Sequence, residues 1–318
     1  MIPEYINYRL TGRIVHEYTD SSTAGLVDAT TKQWDYDLIG KLGLPAKIFG
    51  HLEMPGASVG EYRGVKVVLP AMHDTGSAYL AVPARDDKAV YLSSGTWSIL
   101  GVENDRPYTD PVSCELNFSN EGGAWGRYRY LKNIMGLWMI QSIRRELNGV
   151  SYVEGKDKDE TIAALKLLKD YEKGKEYSFN DLSMAARDTD YNTVVDVNDQ
   201  RFMNPASMIG EVIAAAEAAG KPPATIGELM KCVYVSLADC YAREIEKLSE
   251  LTGRTYTSLN IVGGGCQDKF LNSLTADATG LEVFTGPIEG TAIGNLVVQM
   301  IAAGEFADLS SARAAIVR

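Results

Sequence analysis

The sequence predicts an α/β fold, a sheet covered by helices, and two stretches carry that reading. Leu259-Asn-Ile-Val262 reads as a strand, Gly263-Gly264-Gly265 as a tight turn, and the run through Phe270, Leu271 and Leu274 as a helix. Leu281-Glu-Val-Phe284 follows as a second strand, and Thr291 opens a last long helix. Strand, glycine turn, helix, strand, helix is the order from which α/β layers are built. Upstream, Gly64-Val-Lys-Val-Val-Leu-Pro70 is a short β-branched strand. It runs into Ala71-Met-His-Asp-Thr-Gly-Ser-Ala78, where small residues begin a helix.

The remaining elements follow from spacing and punctuation. Residues 3–10 read as a helix that Gly12 ends. Trp34 and residues 38–44 suggest a second helix, and Met54-Pro55-Gly56 is a turn. Residues 89–103 read as a hairpin, with Val90 and Leu92 on one strand and Ile99 and Leu100 on the other. Ser93-Ser94-Gly95-Thr96 supplies its turn. Residues 104–130 read as irregular. Residues 131–147 read as a helix, because Ile134, Leu137, Trp138, Ile140 and Leu147 fall near helical spacing. Residues 151–176 are rich in Lys, Asp and Glu, the mark of a solvated helix face. Thr225-x-x-Glu228 is a capping box that opens a helix through Met230, Val233, Leu237, Tyr241, Ile245 and Leu248, with Gly253 as its C-cap.

Composition narrows the class. With 318 residues the chain can hold one large domain or two and bury a sizeable core. Its 45% hydrophobic and 23% charged content is that of an ordinary soluble globular protein. The formal charge of −11 repels phosphate backbones, so nucleic acid is not an expected partner, while a small nucleotide in a locally positive site is compatible with it. The four cysteines form no CxxC pair and the three histidines have no metal-ligand spacing, so neither a zinc site nor a disulfide framework is expected. The N-terminus has neither the basic nor the apolar region of a signal peptide. Residues 291–303 are too few to span a bilayer and include Asn295 and Gln299. A cytoplasmic location without membrane partners is expected.

Three features could carry chemistry. Asp74, between His73 and Thr75, follows a strand end. Its carboxylate could accept a proton, or could simply cap a helix. The Ser93–Thr96 turn offers hydroxyls and N–H groups that could hold an anion, or could be plain hairpin chemistry. The three glycines would let backbone approach a ligand closely, or could merely make a tight turn. They are not the GxGxxG dinucleotide fingerprint, and no Walker A sequence occurs. A dinucleotide oxidoreductase would rest on these glycines alone.

Taken in order, the features gain meaning. A carboxylate at a strand end, then Tyr91-Leu-Ser-Ser-Gly-Thr-Trp-Ser-Ile-Leu-Gly-Val-Glu103, Asn133-Ile-Met-Gly-Leu-Trp138 and Ile261-Val-Gly-Gly-Gly-Cys-Gln267 resemble the FGGY carbohydrate kinases. Residues 3–12 and Glu17-Tyr-Thr-Asp-Ser-Ser-Thr23 extend the resemblance towards the N-terminus. It implies the actin-like ATPase (ribonuclease H-like) fold. Residues 1–79 would be the tail of the N-terminal, sugar-binding domain and 80–318 the C-terminal, nucleotide-binding domain. It implies ATP and Mg²⁺ and a sugar substrate, L-rhamnulose phosphorylated at its C1 hydroxyl. L-fuculose or another deoxyketose is the alternative, and a non-catalytic ATP-binding protein a further one. By the same resemblance Asp74 is the general base, and His73 and Thr75 contact the sugar. Thr96, Asn133, Gln141 and Gly264 hold the nucleotide, and no metal ligand is assigned.

The resemblance has gaps. The family's opening Asp-x-Gly-x-x-x-x-Arg is absent, and Asp74-Thr75-Gly76-Ser77 mimics only its start. The family's last strand and tail would lie beyond Arg318. On that comparison the chain is expected to be a fragment, to expose apolar surface within residues 1–79, and to show little or no ATP-dependent phosphorylation by itself.

Overall fold

A computed structural model describes residues 1–84, 86–149 and 158–316. The chain opens with α1 (Ile2–Thr11), β1 (His16–Glu17), the one-turn α2 (Tyr18–Ser21), α3 (Tyr36–Lys41) and β2 (Leu52–Glu53). A hairpin of β3 (Ser58–Tyr62) and β4 (Val65–Val68) leads to α4 (Asp74–Leu80). A second hairpin, β5 (Ala89–Ser94) and β6 (Trp97–Asn104), precedes α5 (Pro111–Glu115), β7 (Ser119–Gly122) and β8 (Tyr128–Met135). Helices α6 (Trp138–Leu147), α7 (Lys158–Leu165), α8 (Phe179–Arg187), α9 (Met208–Ala219) and α10 (Ile226–Thr252) come next. The chain then adds β9 (Ser258–Val262), α11 (Lys269–Thr279), β10 (Glu282–Thr285), α12 (Gly290–Ala303) and α13 (Leu309–Ala315).

The main sheet has the order β10-β9-β5-β6-β8-β7. β10, β9 and β5 are parallel, and β6, β8 and β7 are antiparallel to their neighbours. Both faces are covered, and the strand sequences show why. Along β5, Val90 and Leu92 point into the large core shared with α6, α8, α9 and α10, while Ala89 and Tyr91 point to the opposite face and pack on Ala78, Tyr79 and Val82. The period-2 alternation of a strand divides the residues this way, and apolar residues at both phases demand a helix layer on each side. The second layer is α4 with α12. The two helices approach so closely that a Cβ at Gly294 would overlap the Ser77 carbonyl.

Most expected elements are present. Gly12 and Gly253 end α1 and α10 in the left-handed conformation. Thr225 caps α10 through the Glu228 N–H, while the Glu228 carboxylate turns back to the Ala224 N–H. The second helix is shorter than expected and excludes Trp34, which sits in an isolated bridge with Val27. Part of the charged stretch, residues 151–157, lies outside the described residues. The rest of that stretch is less solvated than expected, since Ala164, Leu165 and Leu168 are buried.

Two expectations are overturned. Residues 131–135 are strand, not helix, and the stretch 104–130 is not irregular but carries α5, β7 and the start of β8. β8 pairs residue for residue with β6, from Trp97↔Met135 to Asn104↔Tyr128. The helical spacing of Ile134 with Leu137 and Trp138 is an accident of two elements meeting at Gly136. Tertiary pairing decides here: Tyr130 and Ile134 face the large core at strand spacing. Gly136 makes the junction possible, because a Cβ there would sit 2.6 Å from the Ser98 nitrogen.

Residues 1–14 carry exposed Ile2, Tyr5, Ile6, Tyr8 and Ile14, the apolar surface expected of this region. No helix among the described residues is long and apolar enough to cross a membrane.

The α4–α12 contact gives a direct test. Gly294→Ala should lower unfolding free energy by about 1–3 kcal/mol in urea titrations, the cost of overpacking a tight contact. Gly40→Ala, whose added methyl meets open space, should change it by less than about 1 kcal/mol. Equal stability of the Gly294→Ala variant and the parent would contradict the described packing.

Candidate active site

The site is built from a buried carboxylate outward. Glu17 ends β1 with no solvent exposure. Its carboxylate accepts the N–H groups of Thr19 (2.9 Å) and Asp20 (3.1 Å) and the Thr19 hydroxyl (2.6 Å), so it caps α2. The same carboxylate accepts the N–H of Met72 at 3.0 Å, 55 residues away. Thr19 extends the link, its hydroxyl accepting the His73 N–H at 3.3 Å. Burial pushes the Glu17 carboxyl above its ordinary range, against the pull of those hydrogen bonds. The segment leading into α4 is thereby fixed from outside, and Ser77 closes it from within by donating to the Ala71 carbonyl at 2.7 Å.

Asp74 is the first residue of α4. Its Oδ1 accepts from the Thr75 N–H and, at 3.2 Å, from the Thr75 hydroxyl. Its side chain is nevertheless 77% exposed, so an oxygen is free to meet a ligand. His73 lies beside it, with Nε2 3.6 Å from Oδ1. On the other side of the His73 ring stands Arg129 of β8, whose Nη1 donates to Nδ1 at 2.9 Å. Glu121 of β7 completes the group, 3.1 Å from Arg129 Nη1. Burial, then the Arg129 charge, holds the His73 imidazole below its usual pKa. From α12, Thr291 donates to the Asp74 carbonyl at 3.1 Å.

A second group of residues gathers where the parallel strands end. The turn between β5 and β6 is stitched to the start of α6: the Gly95 carbonyl accepts from the Leu137 N–H (3.1 Å) and the Thr96 carbonyl from the Trp138 N–H (3.0 Å). Beside this turn lies the glycine loop after β9. A Cβ at Gly265 would overlap the Ser94 side chain, and Gly263 takes a left-handed φ of 82° with a Cβ position 2.9 Å from the Ser94 carbonyl. Gly263 and Gly265 are thus glycine because β5 runs against them. Beyond it opens a cavity of about 800 Å³ lined by Gln141, Gly264, Gln267, Asp268, Phe179 and Arg187. Asp268 is held firmly, capping α11 through the N–H groups of Phe270 and Leu271 and accepting the Tyr234 hydroxyl at 2.6 Å. The crevice beyond the C-terminal ends of parallel strands is where open α/β sheets bind ligands.

The structure therefore gathers His73, Asp74 and Thr75 at the start of α4, and puts Gln141 and Gly264 in one cavity next to the Thr96 turn. Asn133 stands apart. It is on β8 rather than a helix, and it lines a separate cleft of about 660 Å³ with Trp97, Ile99, Lys132 and Lys247. Sequence reasoning assigned no role to Glu17, Glu121, Arg129 or Asp268. A lone Arg between Tyr128 and Tyr130 was a signal for one of them, and an Asp just before an apolar helical run for another. Among the described residues, no three His, Cys, Asp or Glu converge to hold a metal ion. An ATP-borne Mg²⁺ asks less of the protein, one or two carboxylates beside the phosphates.

Comparison with known proteins gives the family and the fold. The C-terminal domain of the FGGY family of carbohydrate kinases matches residues 90–303. The chain belongs to the FGGY family of carbohydrate kinases. It is 40% identical to a rhamnulokinase of Halalkalibacterium halodurans over 98% of this chain and 63% of that protein. It is 41% identical to a rhamnulokinase of Klebsiella pneumoniae over 98% of this chain and 60% of that protein. The chain thus spans about three fifths of the length of these relatives. Its fold is the actin-like ATPase fold of sugar kinases: a Plasmodium falciparum glycerol kinase with ADP superposes with a TM-score of 0.72 at 12% identity, over 100% of this chain and 60% of that one. A Lactobacillus acidophilus gluconate kinase superposes at 0.70 and 16% identity, over 98% and 60%.

The depressed pKa of His73 has a consequence for this FGGY chain. The folded protein takes up that proton less readily than the unfolded chain, so the difference costs nothing well above the ordinary value of 6.5. As pH falls through 6.5 towards the lower folded value, stability is lost. His73→Gln, whose amide oxygen can still accept from Arg129, should decline less in urea midpoint between about pH 7 and 5.5. Parallel declines in the two proteins would contradict the described environment of His73.

Proposed function

We propose that this site transfers the γ-phosphoryl group of ATP to the C1 hydroxyl of L-rhamnulose, with Asp74 as the general base. The observation that carries the reading is the placement of Asp74. Its carboxylate is tethered on one oxygen and open to solvent, while its backbone carbonyl accepts from Thr291 of α12, which holds the start of α4 in place. In the reaction the C1 oxygen forms a bond to the γ-phosphorus, the bond from that phosphorus to the bridging oxygen breaks, and ADP leaves. Asp74 takes the hydroxyl proton. Mg²⁺ on the ATP phosphates supplies charge neutralisation. The transition state of such transfers is loose, so positioning and electrostatics do most of the work.

Within this reading His73 and Thr75 contact the sugar, and the Thr96 turn lies against the phosphates. Gln141 and Gly264 line the adenosine cavity, to which the structure adds Asp268 and Phe179 as neighbours. Asn133 lines a separate cleft and carries no role in this reading. The relatives named rhamnulokinases support L-rhamnulose over other ketoses.

The cavity around Gln141 is lined by residues of this chain, so the 318-residue chain should bind ADP by calorimetry. Gln141→Ala should weaken that binding about tenfold, the loss of one hydrogen bond of ordinary strength. Unchanged affinity would move the nucleotide elsewhere. Where this chain is joined to an Asp-x-Gly-x-x-x-x-Arg opening of the family's form, ADP release should be driven by L-rhamnulose more than by L-fuculose or other ketoses. Asp74→Asn should lower that turnover by about 10²–10⁴-fold with ADP affinity unchanged. Near-normal turnover would refute the base, and a preference for L-fuculose would replace the sugar.

A further inference from the structure

We propose that Arg129 is a positioning residue for Asp74, acting through His73: it fixes His73 in the tautomer that carries its proton on Nε2, the nitrogen that faces the Asp74 carboxylate. The inference rests on the reading of Asp74 as the base.

Arg129 is 1% exposed and cannot swing. Its Nε donates to the Gly122 carbonyl at 3.0 Å, which sets the guanidinium plane. From this seat Nη1 reaches His73 Nδ1 at 2.9 Å. A guanidinium has donors and no acceptor, so Nδ1 must offer its lone pair. A neutral imidazole that accepts at Nδ1 carries its hydrogen at Nε2. The opposite tautomer would set two N–H groups against each other in a buried space.

The charged groups facing the ring are Arg129 from β8, Glu121 from β7 and Asp74 from its own helix. Glu121 is the competitor, since its Oε2 lies 3.4 Å from Nδ1 and could accept from a protonated Nδ1. It lies closer to Arg129, at 3.1 Å, and so serves as counter-ion to the guanidinium. On the far side, Nε2 faces Oδ1 of Asp74 at 3.6 Å, the oxygen that already accepts from Thr75. All these donors converge on Oδ1. Oδ2 is left to take a proton, and catalytic hydrogen bonds that are long without substrate commonly tighten with it.

Long-range proton–nitrogen NMR of the ¹⁵N-labelled chain tests this. The three histidines are assigned with His16→Gln, His51→Gln and His73→Gln. His73 should show an unprotonated Nδ1 and a protonated Nε2 at neutral pH. A protonated Nδ1, or an imidazolium, overturns the proposal. Arg129→Met combined with Glu121→Gln, which leaves no unpaired buried carboxylate, should mix the two tautomers, and Arg129→Lys should restore the Nε2–H form at least in part. An unmixed Nε2–H signal in the double variant overturns the role of Arg129, and if that variant does not fold, the parent spectrum still decides the tautomer. Undiminished turnover of Asp74→Asn would instead overturn the base and leave the tautomer result standing, so the two failures are distinguishable.

Discussion

The His73–Asp74 segment hangs on the Glu17 carboxylate. It is removed from water, which is costly for a charge, and it persists because four donors surround it. Three of those donors belong to Thr19 and Asp20 and one to Met72. A single side chain thus joins the N-terminal elements to the segment that delivers His73 and Asp74. Without it, the seven-residue α4 would keep the ties of Ser77 to Ala71, Arg129 to His73 and the contact with α12.

The second constraint is the placement of glycine at the sheet edge. Gly263 and Gly265 let β9 turn against Ser94, Gly136 lets β8 turn against Ser98, and Gly294 lets α12 rest on α4. Each contact draws two segments of the candidate site together. The hairpin turn, the glycine loop and the start of α6 become one rim, and α12 carries α4 to it. Interiors packed to this density tolerate little added volume. That is why small residues stand at these junctions.

The α/β class was legible because strands β5 and β9 are short apolar runs punctuated by glycine, and local rules govern them. Asp74, Thr96 and the glycine loop were legible as a succession of motifs, although each had an innocuous reading alone. β8 was not. Its residues satisfy helical and strand spacing about equally, and pairing with the distant β6 decides the matter. Arg129 and Glu121 were lost with it, since their purpose depends on which strand they occupy. The displacement of Asn133 from the Gln141 cavity has the same origin: once β8 is a strand, Asn133 faces the cleft beside Trp97.

If the base and the nucleotide cavity serve one reaction, they must meet across one bound pair of substrates. A crystal structure with a non-hydrolysable ATP analogue and a ketose tests this most directly. The adenosine should lie between Gln141 and Gly264, with the sugar hydroxyl within hydrogen-bond reach of Asp74 and about 3–3.5 Å from the γ-phosphorus. A nucleotide seated in the Asn133 cleft, or a γ-phosphate directed away from α4, would contradict it.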